Sequence, residues 1–205
     1  MSAAITLAAR DIACRRGGRL LFEGLNFSLE PGDALLVTGA NGAGKTSLLR
    51  LIAGLLPLDA GRIEGGDRSL PLGEQCHYVG HANGVKNALT LRENANFWSA
   101  FLEGDGTGIE DGMQLFGLDD LADLPAGILS AGQKRKVALL RLFAAKRPIW
   151  LLDEPSVSLD AASVKILAGV VKRHLAEGGV AVVASHTKLA VKFTQELKLA
   201  LEPKS

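Results

Sequence analysis

Gly39-Ala40-Asn41-Gly42-Ala43-Gly44-Lys45-Thr46 fits the pattern G-x-x-x-x-G-K-[ST] in full, and this stretch decides how the chain folds. Ahead of it, the Pro31-Gly32-Asp33 turn leads into Ala34 to Thr38, a short apolar run that reads as a buried strand. Behind it, Ser47 to Ala53 has helical spacing and stops at Gly54. A strand, a glycine-rich loop and a helix in this order make an anion cradle. Glycines let backbone N–H groups turn inward around phosphates, and the helix beginning near Gly44 adds the positive end of its dipole. Lys45 is then placed to reach β- and γ-phosphates, and the Thr46 hydroxyl to ligate Mg²⁺.

A second signal lies a hundred residues on. Ile149-Trp150-Leu151-Leu152-Asp153-Glu154 is an apolar strand that ends in two carboxylates. At the C-terminal edge of a parallel strand, such groups face the crevice where α/β proteins bind ligands. Asp153 is expected to hold the Mg²⁺ shell, directly or through water, and Glu154 to polarise the attacking water. An acidic strand end alone is weak; paired with the phosphate loop it is strong.

The remaining chain alternates strands with helices, which predicts an α/β fold with a mainly parallel sheet. Ile5 to Ala9 and Leu20 to Leu29 read as N-terminal strands around a Gly17-Gly18 turn, and His77 to Val79 as another short strand. A small helical insertion spans about 85–130. It starts a helix at Leu91, breaks from Gly104 to Gly108, and continues in shorter pieces to Leu124. Gln133 to Ala145 reads as a basic amphipathic helix, Ala161 to Ala176 as a helix, Val180 to Ala184 as a buried strand, and Leu189 to Gln195 as a last helix. No internal repeat or linker divides the 205 residues, so one domain covering 1–205 is expected.

Composition narrows the class. Lys and Arg total 23 against 22 Asp and Glu, which gives no footprint of a nucleic-acid binder. Two cysteines, Cys14 and Cys76, with no CxxC spacing fit a reducing compartment and offer no metal site. The start of the chain shows no secretory pattern. No apolar run approaches membrane-spanning length, since Val137 to Ala145 is cut by Arg141. Work at a membrane therefore requires a docking partner.

Leu129-Ser130-Ala131-Gly132-Gln133 stands 23 residues (153 − 130) ahead of the acidic strand end. On its residues alone it is a helix N-cap at Ser130. Together with the loop and the acidic strand, it resembles the LSGGQ signature of the ATP-binding-cassette (ABC) family. Ser158-Leu159-Asp160 and Ser185-His186 follow in the family's order, and the resemblance covers about Ile5 to Val191. It implies an ABC-type P-loop ATPase domain with an antiparallel N-terminal part, which binds ATP with Mg²⁺ and hydrolyses it as a homodimer of cassettes. Nucleotide contacts are implied for residues 39–46 and for Ser47 after the loop, and catalytic roles for Lys45, Glu154 and His186, the histidine touching the γ-phosphate and orienting Glu154. Ser130, Ala131, Gly132 and Gln133 are implied to reach the γ-phosphate on the opposite subunit. Asp160 is implied to cross the dimer interface. Two positions depart from the family: His81 stands where Gln is usual, and Arg16 where an aromatic residue stacks on adenine.

Tyr78-Val79-Gly80-His81, then Gly84, Lys86 and Leu89-Thr90, combine with LSAGQKRKVALLRL in a short chain. That set is similar to the ATP-binding subunits of haem-exporter complexes in bacterial cytochrome c maturation. The resemblance implies integral membrane subunits as partners, a peripheral place on the cytoplasmic face of the inner membrane, and no direct haem binding. A soluble ABC ATPase of another assembly system, or the nucleotide-binding subunit of a different exporter, is the alternative. Cys76, His77 and His81 are read as ordinary strand and loop residues rather than haem ligands. Lys134-Arg135-Lys136 is read as a solvated helix face, and Phe97, Trp98 and Phe101 as packing of the insertion, with a partner groove second.

Overall fold

The first strands form because their apolar residues alternate and a two-glycine turn reverses the chain. In the computed structural model, which describes residues 5–187 and 189–200, β1 (Leu7–Arg16) and β2 (Arg19–Leu29) pair antiparallel from Leu7↔Leu29 to Arg16↔Arg19. The apolar run ahead of the phosphate loop is β3 (Ala34–Gly39), and α1 (Lys45–Ile52) follows directly from the loop. β4 (Ala60–Gly65) adds to the other edge of β1, so the antiparallel sheet has the order β2-β1-β4. β5 (Cys76–Val79) leads to four helices: α2 (Leu91–Phe101), α3 (Thr107–Phe116), α4 (Ala131–Leu139) and α5 (Arg141–Ala144). β6 (Ile149–Asp153), α6 (Ala161–Ala176), β7 (Val180–Ala184) and β8 (Gln195–Leu199) complete the chain.

The second sheet has the order β5-β6-β7-β3-β8, with β3 parallel to β7 and β8 and β6 parallel to β7. β6 and β7 are buried at every position, which is why they read as continuous apolar runs without alternation. The chain divides into two compact units. One holds the residues up to Tyr78, Arg147–Glu154 and those from Val171 on; the other holds Val79–Lys146 and Pro155–Val170. In the first, Leu7, Ile12, Phe22 and Leu29 share one core with Leu48 and Ile52 of α1 and with Leu35, Leu151 and Val182 of the parallel sheet. In the second, the fully buried Phe116 of α3 meets Phe143 of α5 edge-on at 6.3 Å. Among the described residues, no helix is long and apolar enough to cross a membrane.

Three expectations change. The helix from Gln133 to Ala145 is two, because the backbone tightens at Leu140: its N–H is shared between Lys136 O and Val137 O, and Phe143 N bonds Leu140 O. Its basic face is not simply solvated. Arg135 is buried, donating through Nε to Pro155 O and through NH1 to Gly80 O and Asn83 Oδ1. Lys134 and Lys136 reach the carbonyls of Gly127 and Phe116. The last helix, Leu189 to Gln195, is absent: Thr194 N donates to Ala34 O, and Gln195 opens β8 beside β3. Seven residues are too few to hold a helix on their own, and the edge of β3 offers them backbone partners.

Candidate active site

The C-terminal ends of β3, β6 and β7 lie side by side in the parallel sheet, so three loops meet at one edge. From β3 comes the phosphate loop. Gly39 has φ +140°, and a Cβ there would stand 2.4 Å from Leu199 O of the neighbouring strand, so only glycine lets the loop leave the sheet at this point. Ala43 N bonds Ala40 O at 3.1 Å and Leu48 N bonds Gly44 O at 2.8 Å, closing the loop onto the first turn of α1. Lys45 is buried, and its ammonium donates to Gly39 O at 2.7 Å and Ala40 O at 3.2 Å. The lysine therefore lies back along the rim of its own loop.

β6 delivers the two carboxylates in different ways. Asp153 is buried at the strand end, and Thr46 Oγ1 donates to its Oδ2 at 2.7 Å. Hydroxyl and carboxylate oxygens side by side are the hard donors that Mg²⁺ takes. Glu154 has φ +47°, a left-handed backbone that a non-glycine residue holds only when its surroundings fix it. Its N–H bonds Ala184 O at 2.8 Å, which ties the turn to β7. The side chain swings back to the β7 loop, where His186 N donates to Oε1 and Oε2 at 3.2 and 3.3 Å, and Ser185 Oγ donates to Oε2 at 3.2 Å.

His186 joins all three loops. Its Nε2 is 2.9 Å from Asn41 Oδ1, 3.1 Å from Lys45 Nζ and 3.7 Å from Glu154 Oε1. An ammonium only donates and an amide oxygen only accepts, so Nε2 serves Lys45 with its lone pair or Asn41 with its hydrogen, not both. The ring is thus poised between two partners on the phosphate loop. Neither the Asn41 contact nor the Ser185 contact was read from the sequence. Only their places, inside one motif and next to another, pointed there.

In the second unit, Ser130 caps α4. Gln133 N donates to Ser130 Oγ at 3.2 Å, and Ser130 N donates to Gln133 Oε1 at 2.8 Å, a reciprocal capping box. Ala131 is exposed at the first turn, and Gly132 lies so near Ser158 O that a Cβ would stand 2.7 Å from it. Ser158 itself has φ +67°. Asp160 accepts from Ser163 N at 2.7 Å at the start of α6, and this bond, first among several, holds its carboxyl below the usual range. His81 is exposed after β5, and Arg16 is exposed at the β1–β2 turn, opposite Arg19.

The sequence matches the ABC transporter family over residues 22–157, two thirds of the chain. The chain belongs to that family. It is 49% identical, over 94% of its own length and 97% of the relative's, to the cytochrome c biogenesis ATP-binding export protein CcmA of Nitrobacter winogradskyi. A protein of the same name from Bradyrhizobium diazoefficiens is 47% identical over equal shares. In fold, the chain matches the solved structure of an ABC transporter ATP-binding protein from Pyrococcus furiosus with a TM-score of 0.81, at 22% identity over 95% of this chain and 97% of that one. This ABC protein is therefore an ATP-binding ATPase with the family's α/β architecture.

Cys76 and His77 lie in β5. Cys76 is buried, which pushes its thiol up to about 12. His77 is buried and meets Trp150 edge-on at 6.3 Å, while the other ring at Trp150 is His174, stacked at 3.9 Å. Phe97 and Phe101 stack on each other and are both exposed, with Lys86 over Phe97 and Arg141 over Trp98. This cluster forms a surface patch rather than buried packing.

Proposed function

We propose that this ATPase powers the haem exporter of bacterial cytochrome c maturation, working as a homodimer of cassettes docked on integral membrane subunits at the cytoplasmic face of the inner membrane. The near-full-length likeness to the cytochrome c biogenesis export proteins carries this reading. In the cycle we infer, the residue 39–46 loop and Ser47 hold the nucleotide phosphates. Lys45 leaves its loop carbonyls for the β- and γ-oxygens, where its charge offsets the charge that develops on transfer. Thr46 and Asp153 would hold Mg²⁺, which when bound would screen phosphate charge.

Glu154, already turned toward the β7 loop, accepts a proton from the attacking water, and His186 fixes its aim while touching the γ-phosphate. Ser130, Ala131, Gly132 and Gln133 of a second copy close over that phosphate with the capped start of α4, and Asp160 lies at the seam between copies. Arg16 stacks its guanidinium plane on adenine, and His81 takes the part usually given to Gln. Closing and opening of the two copies with ATP is passed to the membrane subunits, which release haem-loaded chaperone on the far side.

Purifying tagged Glu154→Gln from gently solubilised membranes with ATP and Mg²⁺ tests the assignment. Co-purified haem-handling membrane subunits would support it, and unrelated permease subunits would keep the cassette and discard the cytochrome role. Soluble partners alone would sink the transporter reading.

A further inference from the structure

Ser185 sits just ahead of His186 and is 3% exposed at the end of β7. Its N–H bonds Val37 O of β3 at 3.3 Å, so its backbone is anchored to the strand that feeds the phosphate loop. The hydroxyl has one proton and two acceptors within reach: Glu154 Oε2 at 3.2 Å and Thr187 O at 2.8 Å. Thr187 N in turn donates to Ser185 Oγ at 3.0 Å, which holds the oxygen in place whichever way its proton points. Thr187 O is the nearer acceptor, and a buried hydroxyl so held costs little further ordering when it turns to the carboxylate, where a shortened bond would be charge-assisted.

We propose that Ser185 is a positioning residue for Glu154. The backbone of Glu154 is fixed in a left-handed turn, so its carboxylate is aimed from the side, by the Ser185 hydroxyl on Oε2 and the His186 N–H across both oxygens. Oε1 takes the shorter of the two His186 N–H contacts, at 3.2 Å, and lies 3.7 Å from His186 Nε2, so both oxygens are held from the β7 side. The competing acceptor, Thr187 O, is one residue past His186. One proton is therefore divided between the carboxylate and the turn that follows the histidine, while the Thr187 N–H keeps the oxygen in place. The inference rests on Glu154 being the group that acts on water.

Steady-state phosphate release from the full chain tests it, with ATP varied, in Ser185→Ala, Ser185→Thr, Glu154→Gln and the double variant Ser185→Ala/Glu154→Gln. Losing one charge-assisted bond to Glu154 should lower kcat about tenfold in Ser185→Ala and move KM less than about twofold. Ser185→Thr keeps the hydroxyl and should stay within about threefold of the parent. In the Glu154→Gln background, Ser185→Ala should alter the residual rate less than about twofold, because both changes act through one group. Should the alanine variant fold poorly in a thermal melt, Ser185→Cys keeps the volume with a weaker donor and should give an intermediate kcat. A parent-like kcat in Ser185→Ala, KM rising in step with the fall in kcat, or a full extra tenfold loss on top of Glu154→Gln would overturn the proposal. Parent-like turnover by Glu154→Gln itself would instead remove the reading of Glu154 on which it rests.

Discussion

Lys45 spends its charge on Gly39 O, Ala40 O and the edge of His186. None of these is an anion, so a phosphate oxygen outcompetes them, and the ammonium needs only to swing, not to be desolvated anew. Lys45→Ala should lower turnover on the order of 100-fold or more, measured as phosphate release at saturating ATP. Lys45→Arg should recover little of it, since a planar guanidinium does not fit a cradle built around a point charge. At this scale the sequence told much. Lys45 meets His186, Thr46 meets Asp153, and His186 meets Glu154, so the motif residues pair at this edge of the sheet. What it did not tell is pairing across loops. Asn41 to His186 spans 145 positions and Ser185 to Glu154 spans 31, and no local pattern encodes which rotamer meets which.

Whole elements were legible where one periodicity dominated. α6 runs from Ala161 to Ala176, as its spacing predicted, and β3, β6 and β7 are apolar because both their faces are covered. β4 escaped notice because Ala60-Gly61-Arg62-Ile63-Glu64-Gly65 holds poor strand formers, and only its ladder to β1 makes it a strand. β8 was masked by a helical reading that ran into Gln195, although Gln195 to Leu199 alternates half-buried with exposed side chains and ends on buried Leu199. In α4, one guanidinium decides stability: Arg135 satisfies Pro155 O, Gly80 O and Asn83 Oδ1 at once. Arg135→Met would keep much of the volume but strand those buried acceptors. A loss of about 2–4 kcal/mol is expected in denaturant unfolding, and Arg135→Lys should recover only part of it. An unchanged midpoint would mean that water replaces the guanidinium at no cost.

At the scale of the whole molecule, ATP should govern association, because the proposed site takes its phosphate loop from one copy and its capped α4 start from another. On the proposed role of Glu154, the Glu154→Gln variant should bind ATP with little turnover and elute as a dimer with ATP and Mg²⁺ and as a monomer without them; a species unmoved by nucleotide would count against a shared site. Stability of the fold should also carry a pH signature, set far from the phosphates by His174. Its imidazole is buried, stacks on Trp150 at 3.9 Å and 7°, and lies 3.2 Å from Val180 O through Nε2. Burial, the largest influence, pushes it below its ordinary 6.5, although the Val180 carbonyl pulls the other way. Above pH 6.5 both folded and unfolded chains hold it neutral, and its packing contributes in full. As pH falls through 6.5, the unfolded chain takes up a proton that the folded chain refuses, so stability drops until the folded imidazole also titrates. His174→Phe keeps a flat ring on Trp150 and removes the proton. Its urea midpoint should therefore vary less between pH 7.5 and pH 5.5 than the parent's. Equal slopes in the two proteins would show that the acid sensitivity comes from another group.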